Sequence, residues 1–434
     1  MKILWLNANL LLPLDKGGKL RTWHLMRHLA PRHQITYLSF AEPGVPRALV
    51  DGMREVCSRV ETVPRAETAK GSLAFYADVL RYLFTPLPYA VAKYRSPAFA
   101  RRVRELLDAE RFDLVLCDFL VPAVNLPTAL PCPAVVFTHN VEAEIWRRHV
   151  EAQSGATGRL LYRAQWRRML RFERDTLARF GLVLAVSDAD RRTFAHLYGA
   201  RVPAPVFVVK TGVDTDYFSP AGPPAEPRHL VFTGSMDWIP NEDAMLSFVR
   251  DVLPRIRREE PGVTLSIVGR APTPAVRALG RQPGVEVTGS VDDVRPHIAR
   301  AAVYVVPIRI GGGTRLKIFE AMAMGKAVVS TEVGAEGLPV TPGADILIED
   351  SPDGFARAVI DLLRDDARRA SLERAARALV MGEYDWTAVG HELERALVSF
   401  AARPFEAMPA AGVSVPRPRW SRLAARFRPS ARPT

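Results

Sequence analysis

Arg315, Lys317 and Glu320 follow directly on the run Gly311-Gly312-Gly313-Thr314. Two cations beside three glycines suit an anionic ligand. Glycines let the backbone approach a phosphate closely, and free N–H groups at a helix start point at it. Cations in a first helical turn oppose the helix macrodipole, and a bound anion resolves that conflict. Glu320, one turn on, can accept hydrogen bonds from sugar hydroxyls. The plainer alternative is a strand–helix connection with solvated charges.

The flanking residues predict the elements such a site needs. Val303-Tyr304-Val305-Val306 reads as a buried strand. Thr314 is the expected N-cap of a helix in which Leu316, Phe319 and Ala323 share one face and Ile318 and Met322 pair at i, i+4. Other candidates sit at similar junctions. Gly17-Gly18 follows a first strand and precedes a helix, without G-x-G-x-x-G or a P-loop pattern. His139, in Thr138-His139-Asn140-Val141-Glu142, follows a strand over 134–138, with Glu142 and Glu144 as weaker candidates. Gly234-Ser235 ends a strand over 229–233, and Gly289-Ser290-Val291 ends one over 285–288. Asp214-Thr215-Asp216 is an Asp-x-Asp triplet of the sort that holds a divalent cation elsewhere.

Strands and helices alternate along the chain. Strands are expected over 2–7, 35–40, 113–117, 134–138 and 182–186, with helices at 18–30 and 97–110. A second set runs over 206–210, 229–233, 264–268, 285–288, 303–307 and 327–330, with 345–348 as a further candidate. Such alternation implies parallel sheets covered by helices on both faces. Pro220, Pro223, Pro224 and Pro227 mark a linker. Residues 66–95 are less regular, a helix and a loop over the cleft. Helices are expected at about 352–364, 366–381 and 386–400.

The 434 residues suit two domains and a tail, with 48% hydrophobic and 24% charged residues. Cys57, Cys117 and Cys132 lack metal-ligand spacing and point to a reducing compartment. No apolar run reaches the ~18 residues of a spanning helix, and the N-terminus lacks a signal peptide's apolar segment. The net charge of +12 is unevenly placed, with seven arginines and one glutamate in 401–434 and eight arginines and two glutamates in 147–174. Arg159, Arg163, Arg167, Arg171 and Arg174 form a helical stripe, with Trp166, Met169, Leu170 and Leu177 as an apolar face. A solvated face is the ordinary explanation, and attraction to anionic lipid is the functional one. The tail reads as disordered, with an amphipathic piece from Arg419 to Arg428. Nucleic-acid signatures are missing.

Glu320-Ala321-Met322-Ala323 with Gly325 resembles the E-A-M-A-x-G end of the two-glutamate motif of family 4 retaining glycosyltransferases, the glycogen-synthase-like group. The first glutamate of that motif falls on Gly312, a departure shared with the G-G-G-T-R-L-K variant of exopolysaccharide-type members. Gly212-Val213-Asp214 with Phe218 and Pro220 resembles the N-G-V-D-x-x-x-F-x-P linker of the same family, which implies a structural role for the Asp-x-Asp triplet and no catalytic metal. The resemblance covers about residues 1–400. It implies an α/β GT-B fold, two doubly wound Rossmann-like domains facing a central cleft. Residues 1–205 would form the acceptor-side domain, 206–385 the nucleotide-sugar donor domain, 386–400 a helix crossing back, and 401–434 a disordered basic tail. It further implies that His139 reaches the donor sugar and reacting region, that Glu320 binds the donor ribose, and that the Ser290-Val291 backbone holds the base. Gly17, Gly18, Gly234, Gly312, Gly313 and Thr314 would line the donor site. The family's arginine after Gly234 is Ser235 here, so Arg315 and Lys317 are assigned the diphosphate.

These readings together describe a retaining sugar transferase, hexosyltransferase-like, at the inner face of the cytoplasmic membrane. Its partners would be a nucleotide-diphosphate sugar, a glycan or lipid-linked acceptor and an anionic membrane surface, with no nucleic acid, no metal and no other cofactor. Two rivals use the same cleft, a sugar-nucleotide epimerase relying on His139 and a binding module without chemistry.

Overall fold

Short runs of β-branched and aliphatic residues build the strands, and their side chains alternate between two faces. In β1 (Lys2–Leu6), Ile3 and Trp5 join one buried cluster while Leu4 and Leu6 join another. A strand apolar on both faces needs helices on both sides, as parallel sheets require. The structure is a computed structural model; it describes residues 1–405 except 16, 67–71, 73–81, 83–84, 152, 154 and 311–314. Expectations for Gly312, Gly313, Thr314, the Arg419–Arg428 piece and most of 66–84 lie outside these residues.

The first sheet contains β1, β2 (Gln34–Ala41), β3 (Arg59–Pro64), β4 (Leu114–Asp118), β5 (Ala134–Phe137), β6 (Leu182–Ala185) and β7 (Val206–Val208), in the order β3-β2-β1-β4-β5-β6-β7. The second contains β8 (His229–Thr233), β9 (Thr264–Val268), β10 (Val285–Gly289), β11 (Val303–Val306), β12 (Ala327–Ser330) and β13 (Leu347–Ile348), in the order β10-β9-β8-β11-β12-β13. The strand pairs are parallel; β1, for example, lies between β2 and β4, and β11 between β8 and β12. In each sheet the strand order reverses beside the first strand, where doubly wound folds open a crevice at the strand C-termini.

The helices are α1 (Gly17–Leu29), α2 (Arg47–Gly52), α3 (Tyr89–Ala92), α4 (Pro97–Ala109), α5 (Glu142–Glu151), α6 (Ala156–Leu177), α7 (Asp188–Tyr198), α8 (Ile239–Ser247), α9 (Leu253–Glu259), α10 (Pro274–Leu279), α11 (Arg295–Arg300), α12 (Leu316–Ala323), α13 (Pro352–Arg364), α14 (Asp366–Glu383) and α15 (Trp386–Ala401). Several begin where local chemistry supplies a cap. Ser96 accepts from the Phe99 N–H before Pro97, Ser351 from Gly354 before Pro352, and Asp385 from Thr387.

Three expectations are corrected. β7 hydrogen-bonds to β6, so the strand assigned to the second domain belongs to the first sheet, and the passage between the sheets runs through 209–228. β3, unforeseen, is an edge strand whose Arg, Glu and Pro hide its alternation. In α6 the expected apolar face turns inward: Met169 and Leu177 are buried in the first core, and Leu160 and Leu161 are the exposed apolar residues.

The last helix, α15, lies on α1. Val389, Leu393 and Leu397 fill the same core cluster as Ile3 and Trp5. The Trp386 ring stacks on His24 with centroids 5.0 Å apart. Glu394 accepts from Arg32 at 2.8 and 2.6 Å and from His33 at 2.8 Å. Gly390 permits the approach, since a Cβ there would stand 2.3 Å from the His28 ring. The triplet Asp214-Thr215-Asp216 has a structural job at this end of the linker. Thr215 donates to Asp385 at 2.6 Å, and Asp214 accepts from the Tyr217 N–H at 2.8 Å.

Candidate functional site

A cavity of about 630 Å³ opens between the two sheets. Asn7, Gly17, Gly18, Arg21, His139 and Arg148 line the first-domain wall, and Leu316, Glu336 and Gly337 line the opposite one. This is the crevice position dictated by the reversal in strand order.

On the first wall, Asp118 ends β4 fully buried and acts as a hub. Its Oδ2 accepts from Trp5 Nε1 at 3.1 Å, Asn7 Nδ2 at 2.8 Å and Thr22 Oγ1 at 2.7 Å. Its Oδ1 faces His139 Nε2 at 2.6 Å. The other ring nitrogen of His139, Nδ1, lies 2.9 Å from Arg21 Nη1. A guanidinium only donates, so Nδ1 is an acceptor and Nε2 carries the proton. Burial, and the Arg21 charge after it, push the His139 pKa down against the pull of Asp118. The imidazole is neutral, with both nitrogens engaged. Arg21 continues the chain of contacts to Thr211 in the inter-sheet passage. Burial lowers its pKa to about 10.

Aromatic packing fixes the same ring. Phe119 stacks on His139 at 3.8 Å between centroids and holds a positive φ of 66°. Gly18 makes room, because a Cβ there would lie 2.8 Å from the Phe119 ring. The close approach that Gly18 allows is therefore to Phe119. Gly18→Ala should displace Phe119 and cost about 1–3 kcal/mol, the usual range for overpacking. Urea denaturation checks this; an unchanged midpoint would remove Gly18 from the support of His139. Gly17 has open space around it.

The loop after His139 is held from behind. Glu173 of α6, fully buried, accepts from the N–H groups of Glu142 at 2.8 Å and Ala143 at 3.2 Å and from Tyr198 Oη at 2.5 Å. Burial raises its pKa to about 7. Glu144 pairs with Arg147 and Arg148 on the outer side of α5.

Opposite the first wall, α12 starts at Leu316, which lines the cavity, and Arg315 occupies the position before the helix, with no side-chain cap. Arg315 is buried, its guanidinium 4.9 Å from the Trp238 ring. Lys317 is half-buried, with Nζ 3.0 Å from Asn241 Oδ1 and 4.1 Å from the Phe232 ring. Asn241 in turn donates to the Ser235 carbonyl at 2.9 Å. A Cβ on Gly234 would meet Lys317 Nζ at 2.7 Å, so that glycine makes room for the ammonium. The structure thus brings Lys317 beside Gly234-Ser235, and a further cation, Arg270, donates to Ser235 Oγ at 2.9 Å. Desolvation pushes Lys317 down to about 7 and raises Glu320 to about 7, each partly offset by the other's charge.

Glu320 is half-buried on α12 and, like Arg315, Lys317 and Gly234, does not line the cavity. Ser290 and Val291 lie past the C-terminus of the edge strand β10, also outside the cavity lining, with Val291 packed on the second core. Sequence reasoning missed Asp118, Arg21, Arg270 and Glu336. Arg21 sits one turn beyond Gly17-Gly18 and could have been read as facing the crevice. Asp118 shows only as a charge closing an apolar run, and nothing local marks Arg270 or Glu336.

Comparison with known proteins agrees with this architecture. Residues 16–217 match the family model described as Glycosyltransferase Family 4, and residues 227–365 match that described as Glycosyl transferases group 1. A phosphatidyl-myo-inositol mannosyltransferase from Mycolicibacterium smegmatis is 28% identical over 344 residues, 76% of this chain and 81% of that protein. A GDP-mannose-dependent monoacylated alpha-(1-6)-phosphatidylinositol monomannoside mannosyltransferase from Corynebacterium glutamicum is 27% identical over 257 residues, 53% of this chain and 66% of that protein. The crystal structure of Anabaena Alr3699/HepE in complex with UDP superposes with a TM-score of 0.64 at 16% identity, over 92% of this chain and 100% of that one. The two family models match 202 and 139 of the 434 residues, and on the two facing Rossmann-like domains of a GT-B fold they support a family 4 glycosyltransferase.

Proposed function

We propose that the protein transfers a sugar, with retention, from a nucleotide-diphosphate donor in the inter-sheet cavity to a lipid-linked or exopolysaccharide acceptor at the anionic inner face of the cytoplasmic membrane. One observation carries the reading. Lys317 lies at the end of β8 and, among the described residues, has a neutral amide as its hydrogen-bond partner, beside Arg315 and the start of α12. A donor diphosphate there would meet these cations, and its charge grows as the bond to the anomeric carbon breaks. Cations and helix N–H groups then stabilise the transition state more than the ground state. In the transfer that bond breaks, a new bond forms between the anomeric carbon and an acceptor hydroxyl on the same face, and the hydroxyl proton leaves with the diphosphate. The engaged, neutral His139 suits sugar positioning better than the acid–base work an epimerase asks of it. Glu320 is assigned to the donor ribose, Ser290 and Val291 to the base, and no metal or other cofactor takes part.

The assay is a panel of sugar nucleotides offered with cell membranes as the acceptor source. The expected result is a product from one donor, with the donor's anomeric configuration kept, identified by mass spectrometry and NMR. Donor isomerised without acceptor would establish the epimerase instead. Donor bound without any product would establish the binding module.

The relatives named for phosphatidylinositol acceptors support a lipid at the first wall. Among the described residues no helix is long and apolar enough to cross a membrane. Attachment would rest on α6, which exposes Arg159, Arg163, Arg167 and Arg171 beside Leu160, 70% exposed, and Leu161. Arg174, by contrast, pairs with Asp175 at 2.6 Å. Each arginine near an anionic surface contributes about 1 kcal/mol. The protein should float with anionic liposomes at low salt and be released by high salt, and replacing the four exposed arginines by glutamine should weaken flotation strongly. Equal flotation with neutral liposomes would leave the stripe as a solvated face.

A further inference from the structure

We propose that Glu336 supplies the carboxylate that grips hydroxyls of the donor sugar, the role left open by glycine at position 312. The proposal rests on the glycosyltransferase reading above and names a residue for that cavity.

The turn from Thr331 to Leu338 is built to hold one side chain at the cavity. Thr331 Oγ1 accepts from the Gly334 N–H at 2.9 Å. The Ala335 N–H reaches the Thr331 carbonyl, and the Leu338 N–H the Ala335 carbonyl, each at 3.0 Å. Gly334 presses on the ends of β11 and β12. A Cβ there would stand 2.4 Å from Ser330 Oγ and 2.8 Å from the Val306 carbonyl oxygen. Ala335 and Leu338 are buried in the second core, so both sides of the turn are anchored. Gly337, at φ +77°, gives the left-handed step that follows Glu336. Between these anchors Glu336 is exposed and lines the cavity with Leu316, in the wall opposite His139.

The Glu336 carboxylate has no hydrogen bond or ion pair among the described residues. Its charge favours the protonated form of Arg315. An anchored carboxylate facing a polar cavity has its acceptor sites open to a ligand. Sugar hydroxyls are donors of the right kind, and a carboxylate can take two neighbouring ones at once. Negative charge at the sugar also suits the positive character that develops at the anomeric carbon as the diphosphate leaves.

The test compares the full chain with Glu336→Gln and Glu336→Ala, and with Glu332→Gln as a control at an exposed glutamate of the same turn outside the cavity lining. Calorimetry measures binding of UDP and GDP against UDP-glucose, GDP-mannose and the other sugar nucleotides of the panel; turnover is measured with the active donor. Glu336→Gln should keep the affinity for the bare nucleotide and lose roughly ten- to a hundredfold in kcat/KM with the sugar nucleotide. A donor analogue lacking one hydroxyl should discriminate less between wild type and variant than the full sugar does. Glu332→Gln should match wild type. Wild-type kinetics in Glu336→Gln, or equal loss of bare-nucleotide affinity, would overturn the proposal. A wild type that uses no sugar nucleotide is a different result: it overturns the glycosyltransferase reading, and this inference with it.

Discussion

Lys317→Ala should fold normally and lose about a hundred- to a thousandfold in kcat, the range measured when a preorganised group is taken from developing negative charge. Lys317 Nζ is packed against Gly234 and Asn241 and has no carboxylate in ion-pair contact among the described residues, so its removal breaks no salt bridge among them. Arg315→Ala should lower kcat at least as strongly as it raises KM, whereas a purely binding role would move KM alone. Ser235→Arg should restore part of the loss, since Ser235 and Lys317 meet through Asn241. An Arg315→Ala, Lys317→Ala protein with the wild-type rate would remove both from the diphosphate site. The pH dependence has a definite sign. In the free protein Lys317 releases its proton near pH 7, against 10.5 for an ordinary lysine. A diphosphate favours the charged form, so donor binding takes up a proton above pH 7, and affinity should weaken as pH rises, by up to about tenfold per unit. The unfolded chain holds this proton up to 10.5, so the group's contribution to stability rises with pH between about 7 and 10.5. Flat donor affinity across that window would contradict the assignment.

Asp118→Ala should destabilise the protein by about 3–5 kcal/mol, the cost of breaking a buried charged network by removing one partner. Trp5, Asn7, Thr22 and His139 would each lose an acceptor in a place water does not reach. Asp118→Asn keeps the shape but offers one oxygen where the carboxylate offers two, and turns an amide N–H₂ toward existing donors. It should lose stability too, by less. Activity should fall in both variants, because the His139 proton on Nε2 is set by Asp118. Urea denaturation gives the stability, and imidazole NMR gives the tautomer. A wild-type midpoint together with an unchanged His139 signal would show that the hub is not needed.

Elements with strong local signals were legible from sequence, and groups that meet only in space were not. Val303-Tyr304-Val305-Val306 and Leu182-Val183-Leu184-Ala185 announce buried strands by composition alone, and both form. Val206-Phe207-Val208 also reads as a strand, but which sheet it joins depends on a partner, Leu184 and its neighbours, that local pattern does not name. His139 drew attention as a rare side chain at a strand end. Its controlling partner did not, because Asp118 gathers Trp5, Asn7 and Thr22 from about a hundred residues away. Lys317 was readable beside its glycines, and its contact with Gly234 was implied only by the loss of arginine at Ser235. Glu336 sits in a turn without any periodic pattern, and the folded cavity alone marks it.

The seat of α15 has a consequence for synthesis on the ribosome. Val389, Leu393 and Leu397 complete the core formed around Ile3 and Trp5, so the domain made first is closed by the last of the described helices. Everything from the inter-sheet passage to α15 must emerge before that core is sealed. At about 5–20 residues per second, this is a wait on the order of 10–40 s. Throughout it, the groove on α1 that receives Trp386 and Leu393 stays open to solvent. A stall late in the message would therefore release a first domain with one wall missing.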